Sequence, residues 1–127
     1  MYAVIAGVGT DIVEVPRIAK AYERYGDSFL RRILSTGEFA RARTYAESRR
    51  VEFTAGRFAL KEAMAKASGL GLARLKMSFV DVRTTDRGLA VEFTASDHPL
   101  SATDVNWHLS ISHTNDIAFA VAVLERP

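Results

Sequence analysis

The chain of 127 residues contains no cysteine. That absence excludes a disulfide scaffold, a thiolate zinc centre and a cysteine nucleophile. Proline occurs three times, and no linker, internal repeat or low-complexity tract interrupts the chain. No run approaches the roughly 18 consecutive apolar residues of a membrane span. The segment Met1–Gly7 is too short for a secretory signal and lacks its basic leading region, so cytoplasmic residence is the expectation. Charge of one sign is not in excess either: 17 basic residues face 15 acidic ones, for a net charge of +2.

What is present is a globular composition, 48% apolar and 25% charged. It fits one domain over residues 1–127, large enough to bury roughly two thirds of its unfolded surface without a covalent or metal staple. The basic residues are unevenly spread: ten of the 17 fall between Arg17 and Arg57. They read either as solvated helix faces balanced by Glu23, Asp27, Glu38, Glu47 and Glu52, or as a surface that attracts an acidic protein or a phosphorylated ligand.

Periodicity orders the elements. Ala3–Ile12 is apolar with glycines, a buried strand ending at Asp11. Pro16 suits a first helical turn, and Ile18, Ala21, Tyr22 and Tyr25 share one face of a helix over Arg17–Tyr25. Gly26-Asp27-Ser28 interrupts it, and Phe29–Leu34 resumes. Ser35 with Glu38 has capping-box spacing for a helix running to about Ala46. Arg50–Ser68 is a long helix, with Gly69 as its stop. Phe79–Thr84 and Leu89–Phe93 alternate as a hairpin around Asp86-Arg87-Gly88, and Trp107–Ser112 and Ile117–Leu124 as a second around 113–116. Ser96–Ala102 reads as a short helix or turn. One strand, then helices, then four strands argues α+β, an antiparallel sheet packed against a long helix.

The chemistry-bearing residues concentrate on that helix. Lys61, Glu62 and Lys66 precede a Gly69-Leu-Gly71 exit, and two lysines and a carboxylate beside a turn where backbone can approach suit a phosphate and its metal. The small neighbours Ala63, Ala65 and Ala67 leave room for something to lie against the helix. Glu62 and Lys66, four apart, also read as a surface ion pair. Asp11 reads either as a cap for the Val13–Pro16 region or as a hard-cation ligand; magnesium takes one or two protein carboxylates and fills its shell with water and phosphate oxygens. His113 can bond phosphate or transfer a proton, or serve structurally. His98 and His108 read as packing or surface residues. A Ser-His-Asp hydrolase is excluded by the lack of a Gly-x-Ser-x-Gly elbow. Nucleic-acid binding is discounted because the strands hold few basic residues interleaved with aromatics.

Three motifs stand in order: Gly9-Thr-Asp11 followed by Arg17-Ile18; Gly56-Arg-Phe-Ala-x-Lys-Glu-Ala-x-x-Lys-Ala-x-Gly-x-Gly; and Leu109-Ser-Ile-Ser-His113. Together they resemble the holo-acyl-carrier-protein synthase family of small phosphopantetheinyl transferases, over nearly the whole chain. The resemblance implies that family's fold and its magnesium-dependent transfer of 4′-phosphopantetheine from coenzyme A to a serine of apo-acyl carrier protein, a step of fatty acid biosynthesis. It implies Asp11 and Glu62 as metal ligands, Lys66 at the pyrophosphate, and Arg57 with Arg49 at the 3′-phosphate or other phosphate charge. Gly69, Gly71 and Gly88 would admit ligand to the backbone, and His113 would lie at the nucleotide end. Arg17, Arg24, Phe29 and Arg32 would grip the carrier protein. It further implies a homotrimer with each active site between two subunits. The serine's base is Glu62, a carboxylate-held water, or a group near His113 such as Asp116. The chain departs from the family at Phe58 and Leu70, where Trp and Thr are common, and at Asp86-Arg87-Gly88-Leu89, which replaces Asn-Gly-Lys-Pro. A non-catalytic coenzyme A or magnesium-nucleotide binding module is the alternative.

Overall fold

A computed structural model describes residues 2–101 and 104–127. Its centre is a 22-residue helix, α4 (Glu47–Ser68), whose buried residues include Val51, Ala55, Leu60, Ala63, Met64 and Ala67. A helix apolar around so much of its circumference must be enclosed. On one side lies a three-stranded antiparallel sheet in the order β1 (Val4–Glu14), β5 (Ile117–Arg126), β4 (Asn106–His113). Helices α1 (Val15–Tyr25), α2 (Asp27–Ile33) and α3 (Thr36–Ala42) pack against the rest of it. After α4 come a single helical turn, α5 (Leu72–Leu75), a 3₁₀ turn at Met77–Phe79, and a separate two-stranded hairpin of β2 (Val80–Thr85) and β3 (Gly88–Phe93). The antiparallel α+β arrangement agrees with the pattern in the sequence, but the strands form two sheets rather than one. Among the described residues no helix is long and apolar enough to cross a membrane.

Several boundaries differ, each for a local reason. Strand β1 continues past Asp11 to Glu14 because its ladder to β5 runs on through Ile12–Phe119, Val13–Ala118 and Glu14–Ile117. Helix α3 stops at Ala42 rather than Ala46. There the Arg50 guanidinium donates to the carbonyls of Ala42 and Tyr45, both at 2.9 Å, satisfying acceptors that a further turn would have used. Helix α4 then begins at Glu47, three residues before the expected Arg50. The Ser35–Glu38 capping box is present in both directions, and Gly69 closes α4 in the left-handed region, φ 74°. Residues 96–101 form turns, and the remainder of the expected Ser96–Ala102 element lies outside the described residues.

β1 lies backbone-to-backbone on α4. Gly7, Gly9, Asp11 and Val13 face the helix in alternation, since successive side chains of a strand point to opposite faces. A Cβ at Gly9 would coincide with the Ala63 carbonyl oxygen, and one at Gly7 with that of Ala67. Ala63 and Ala67 are buried where this strand lies on the helix and border no ligand space, whereas Ala65 lines the cleft beside Glu62 and Lys66.

Adding a methyl at this contact forces strand and helix apart. The Gly9→Ala variant is expected to lose about 1–3 kcal/mol, the usual cost of overpacking, or roughly 4–12 °C in Tm. Thermal denaturation followed by circular dichroism checks this, and an unchanged midpoint would refute the close packing.

Candidate functional site

The β1–α4 contact brings together one cluster of predicted residues. Asp11, on the helix-facing side of β1, is mostly buried, and its Oδ1 lies 3.2 Å from Lys66 Nζ. Lys66 also donates to the Thr10 carbonyl at 2.9 Å. Glu62 sits one turn before Lys66 on α4 and is half-buried. Asp11 caps nothing: the residue before α1 is Glu14, which makes no side-chain cap, and Val15 N donates instead to the Asp116 carbonyl at 2.8 Å. Lys66 is thus engaged by Asp11 across the strand–helix contact.

Burial pushes the Glu62 carboxyl above its ordinary value of 4.5, the Asp11 charge pushes it further, and Lys66 and Arg17 partly oppose the rise. Two carboxylates on facing elements, one resisting ionisation because of the other, are the donor chemistry of a small hard cation. Among the described residues no third His, Cys, Asp or Glu joins them, so water or ligand oxygens would complete the shell. Beside them opens a shallow cleft of about 410 Å³ lined by Glu62, Lys66, Gly69, Gly71 and Leu72. Gly69 and Gly71 have φ of 74° and 77° with open space where a Cβ would stand, so backbone is accessible at the cleft wall.

The other predicted residues assemble elsewhere. Arg49, Arg57, Gly88 and His113 line a second cleft of about 350 Å³ between α4, the tip of the β2–β3 hairpin and β4. Within the chain these are two sites, not one, because Arg57 and Glu62 are five apart on α4 and project about 140° from each other. Gly56 gives the second cleft its floor: a Cβ there would press on Ile111 at 3.2 Å. His113 is exposed, with Nδ1 3.8 Å from Glu52 Oε2, and Arg49 stacks on Tyr45 with its guanidinium 4.5 Å from the ring centre. Ser110, in the Leu109–His113 motif, lines this cleft beside His113, as do Glu52 and Phe53; sequence reasoning gave Glu52 and Phe53 no site role, although they sit one turn from Gly56 and Arg57 on the helix.

Arg57 is the most constrained of these groups. It is 7% exposed. Its guanidinium lies 4.5 Å from the centre of the Phe53 ring. Nε lies 3.6 Å from Glu38 Oε2, and Nη2 donates to the Val82 carbonyl at 3.5 Å. Nε is buried with no hydrogen-bond partner. Burial lowers its proton affinity and Glu38 raises it again, but a guanidinium stays charged. A cation that lines a cleft, with its nearest carboxylate only at 3.6 Å, suits an anion.

Lys61, by contrast, is not in either cleft. It is 0% exposed, and its Nζ donates to Glu38 Oε1 at 2.5 Å, the Ile33 carbonyl at 2.8 Å and the Met77 carbonyl at 3.0 Å. The phosphate role suggested by its place beside Glu62 is therefore corrected: adjacent helix positions point about 100° apart, and Lys61 points into the core. His98 is likewise a core residue, accepting from Leu100 N at 3.1 Å and bonded to the Leu75 carbonyl. His108 is exposed beside Glu125.

Without metal the Glu62 charge strains the fold. The folded state holds that proton more tightly than the unfolded chain, so stability is lost as pH rises from 4.5 through the higher folded value. In chelator, Glu62→Gln is expected to be more stable than the parent at pH 7, the gap closing below about pH 4. Urea titrations between pH 4 and 8 test this; a pH-independent gap would refute the raised Glu62 carboxyl.

The model of one protein family, the 4′-phosphopantetheinyl transferase superfamily, matches residues 7–122. The chain is 41% identical over 122 residues to a holo-[acyl-carrier-protein] synthase of Limosilactobacillus fermentum, spanning 96% of this chain and 98% of that protein. To a protein of the same name from Bacillus thuringiensis it is 42% identical over 123 residues, with 95% and 96% covered. Its fold matches the crystal structure of a holo-(acyl-carrier-protein) synthase from Bacillus anthracis in complex with CoA (3′,5′-ADP), with TM-score 0.81, 39% identity, and 97% and 98% of the two chains covered.

Proposed function

This chain belongs to the 4′-phosphopantetheinyl transferase superfamily, and on that footing we propose that it transfers the 4′-phosphopantetheine group of coenzyme A to a serine hydroxyl of apo-acyl carrier protein. The products are holo-acyl carrier protein and adenosine 3′,5′-bisphosphate. The relatives' names and the Bacillus anthracis complex support the reading. The observation that carries it is the pair of clefts on one helix. Coenzyme A bears a pyrophosphate and a separate 3′-phosphate, and α4 offers an acid–lysine cluster near its C-terminal end and Arg57 at its middle, aimed into the other cleft.

In the reaction the carrier serine Oγ bonds to the phosphorus that bears pantetheine, the bond from that phosphorus to the bridging oxygen breaks, and the bisphosphate leaves with the electron pair. Such transfers need positioning and charge neutralisation more than covalent help from the enzyme, so no nucleophile of this chain is required. Lys66 orients the pyrophosphate; Arg57, Arg49 and His113 hold the nucleotide phosphates. The serine proton passes to a base, for which the Glu62 carboxylate or a water held by it suits by position. Asp11 and Glu62 would hold Mg2+, which when bound supplies neutralisation of pyrophosphate charge. Exposed Arg17, Arg24 and Arg32, with half-buried Phe29 between them on α1–α2, form a basic face suited to an acidic carrier protein. A cytoplasmic place in lipid synthesis follows from that substrate.

We also propose a homotrimer. The outer face of the three-stranded sheet is apolar and uncovered, with Val8 at 59%, Ile12 at 65% and Phe119 at 37% exposure, and Ile12 pairs across from Phe119. Such a face favours a partner surface. Two clefts on opposite sides of one chain can serve one ligand if a neighbouring copy supplies the second. Sedimentation is expected to give three chains of 14.0 kDa, and a monomer at micromolar concentration would refute the shared site.

The function is tested by intact mass of an apo-carrier protein after incubation with this chain, coenzyme A and Mg2+. A gain of one phosphopantetheine is expected, lost with chelator or in Glu62→Gln. In the same assay Arg24→Glu is expected to raise KM for the carrier about tenfold while leaving that for coenzyme A unchanged. Coenzyme A binding without transfer to any of a panel of carriers would favour a non-catalytic binding module.

A further inference from the structure

Lys61 is the one cation of the α4 motif left without a role. Its environment is complete. Three acceptors surround Nζ, two of them carbonyls and one the Glu38 carboxylate, and only an ammonium has three N–H groups to give them. Burial works against that charge, but the acceptor set requires it. Glu38 is just as fully used. Its Oε1 accepts from Ser35 N at 2.9 Å as well as from Lys61, and its Oε2 accepts from Val82 N at 2.8 Å.

One carboxylate is therefore shared between two buried cations, and the sharing is unequal. Lys61 takes the 2.5 Å contact and Arg57 the 3.6 Å one. Glu38, Lys61 and Arg57 together carry a surplus positive charge, and it rests on the member that lines the cleft. Asp81 lowers that surplus only from a distance, its Oδ1 taken by Ser35 Oγ at 2.5 Å and its Oδ2 3.4 Å from Arg83.

We propose that Lys61 is a positioning residue for anion recognition: by occupying Glu38 it keeps that carboxylate from closing on Arg57, and so leaves the guanidinium's charge for a phosphomonoester in the cleft. The proposal rests on the reading of that cleft as the coenzyme A 3′-phosphate site. Lys61 touches no ligand and acts through Glu38. Without it, Glu38 has a single buried counterion, and Arg57 draws onto it.

The test compares binding of coenzyme A and 3′-dephospho-coenzyme A by calorimetry. The parent protein is expected to prefer coenzyme A. Lys61→Met is expected to cut that preference about tenfold, the weight of one charge-assisted hydrogen bond, with 3′-dephospho-coenzyme A bound as before. Lys61→Gln, which keeps donors for the two carbonyls but no charge, serves where the Met variant does not fold. Adding Glu38→Gln to either variant removes the carboxylate that would neutralise Arg57 and is expected to restore the preference; a buried pair replaced whole is better tolerated than one broken. A retained preference in the Lys61 variants, an equal loss for both ligands, or no rescue by Glu38→Gln would overturn the proposal. A parent protein that binds both ligands equally would instead overturn the 3′-phosphate reading beneath it.

Discussion

The functional geometry depends on how closely β1 lies on α4. Backbone-to-backbone contact is reached only because Gly7 and Gly9 present no Cβ to the carbonyls of Ala63 and Ala67. With strand alternation, the next helix-facing position after Gly9 is Asp11, and one turn of helix spans Glu62 to Lys66. The two glycines therefore bring an acid on a strand within reach of a lysine on a helix, 55 residues away in sequence. A larger residue at either glycine would leave each side chain intact and the cluster dispersed. The glycines thus hold the cluster together without belonging to it.

Helix α4 also separates two chemistries. The face that meets β1 carries the acid–lysine cluster; the face toward β4 and the hairpin carries Arg57, with Gly56 making room for Ile111. Between them, Lys61 points into the protein, where Glu38, Ile33 and Met77 receive it. This contact ties α4 at once to the capping box of α3, the end of α2 and the 3₁₀ turn before β2. An interior ion pair is not in itself a strong source of stability, since desolvation offsets the attraction. Here its effect is specificity of arrangement: six donor–acceptor contacts around Glu38 and Lys61 are met in one geometry.

How much of this was legible in sequence divides along local and non-local lines. The capping box, the Gly69 stop and both hairpins were readable because their signals lie within a few residues of one another. The antiparallel α+β class followed from their order. The end of α3 was not readable, because Arg50 closes it from the next helix. Nor was the orientation of Lys61. Lys61 and Glu62 are neighbours in a charged triplet, and only the partner Glu38, 23 residues away, determines which of them is buried. The family resemblance gave the site residues as a set, and their division between two clefts follows from where α4 aims each side chain, which the sequence does not state.

That division bears on why a buried lysine persists where an apolar residue would fill the space at lower desolvation cost. An arginine that must receive a ligand anion cannot also be satisfied by the protein, yet it must be held still. Phe53 holds it by stacking, the Val82 carbonyl by a 3.5 Å hydrogen bond and Glu38 by a long contact that leaves its charge largely unneutralised. A free carboxylate at Glu38 would close that contact, because an unshared charge in a low-dielectric site takes the nearest counterion. An apolar residue at Glu38 would remove the seat and orphan the backbone N–H groups of Ser35 and Val82. A carboxylate half-spent on an interior lysine avoids both. Lys61 and Glu38 are then what lets Arg57 be at once rigid and unsatisfied, which is the condition for recognising a phosphate in competition with water.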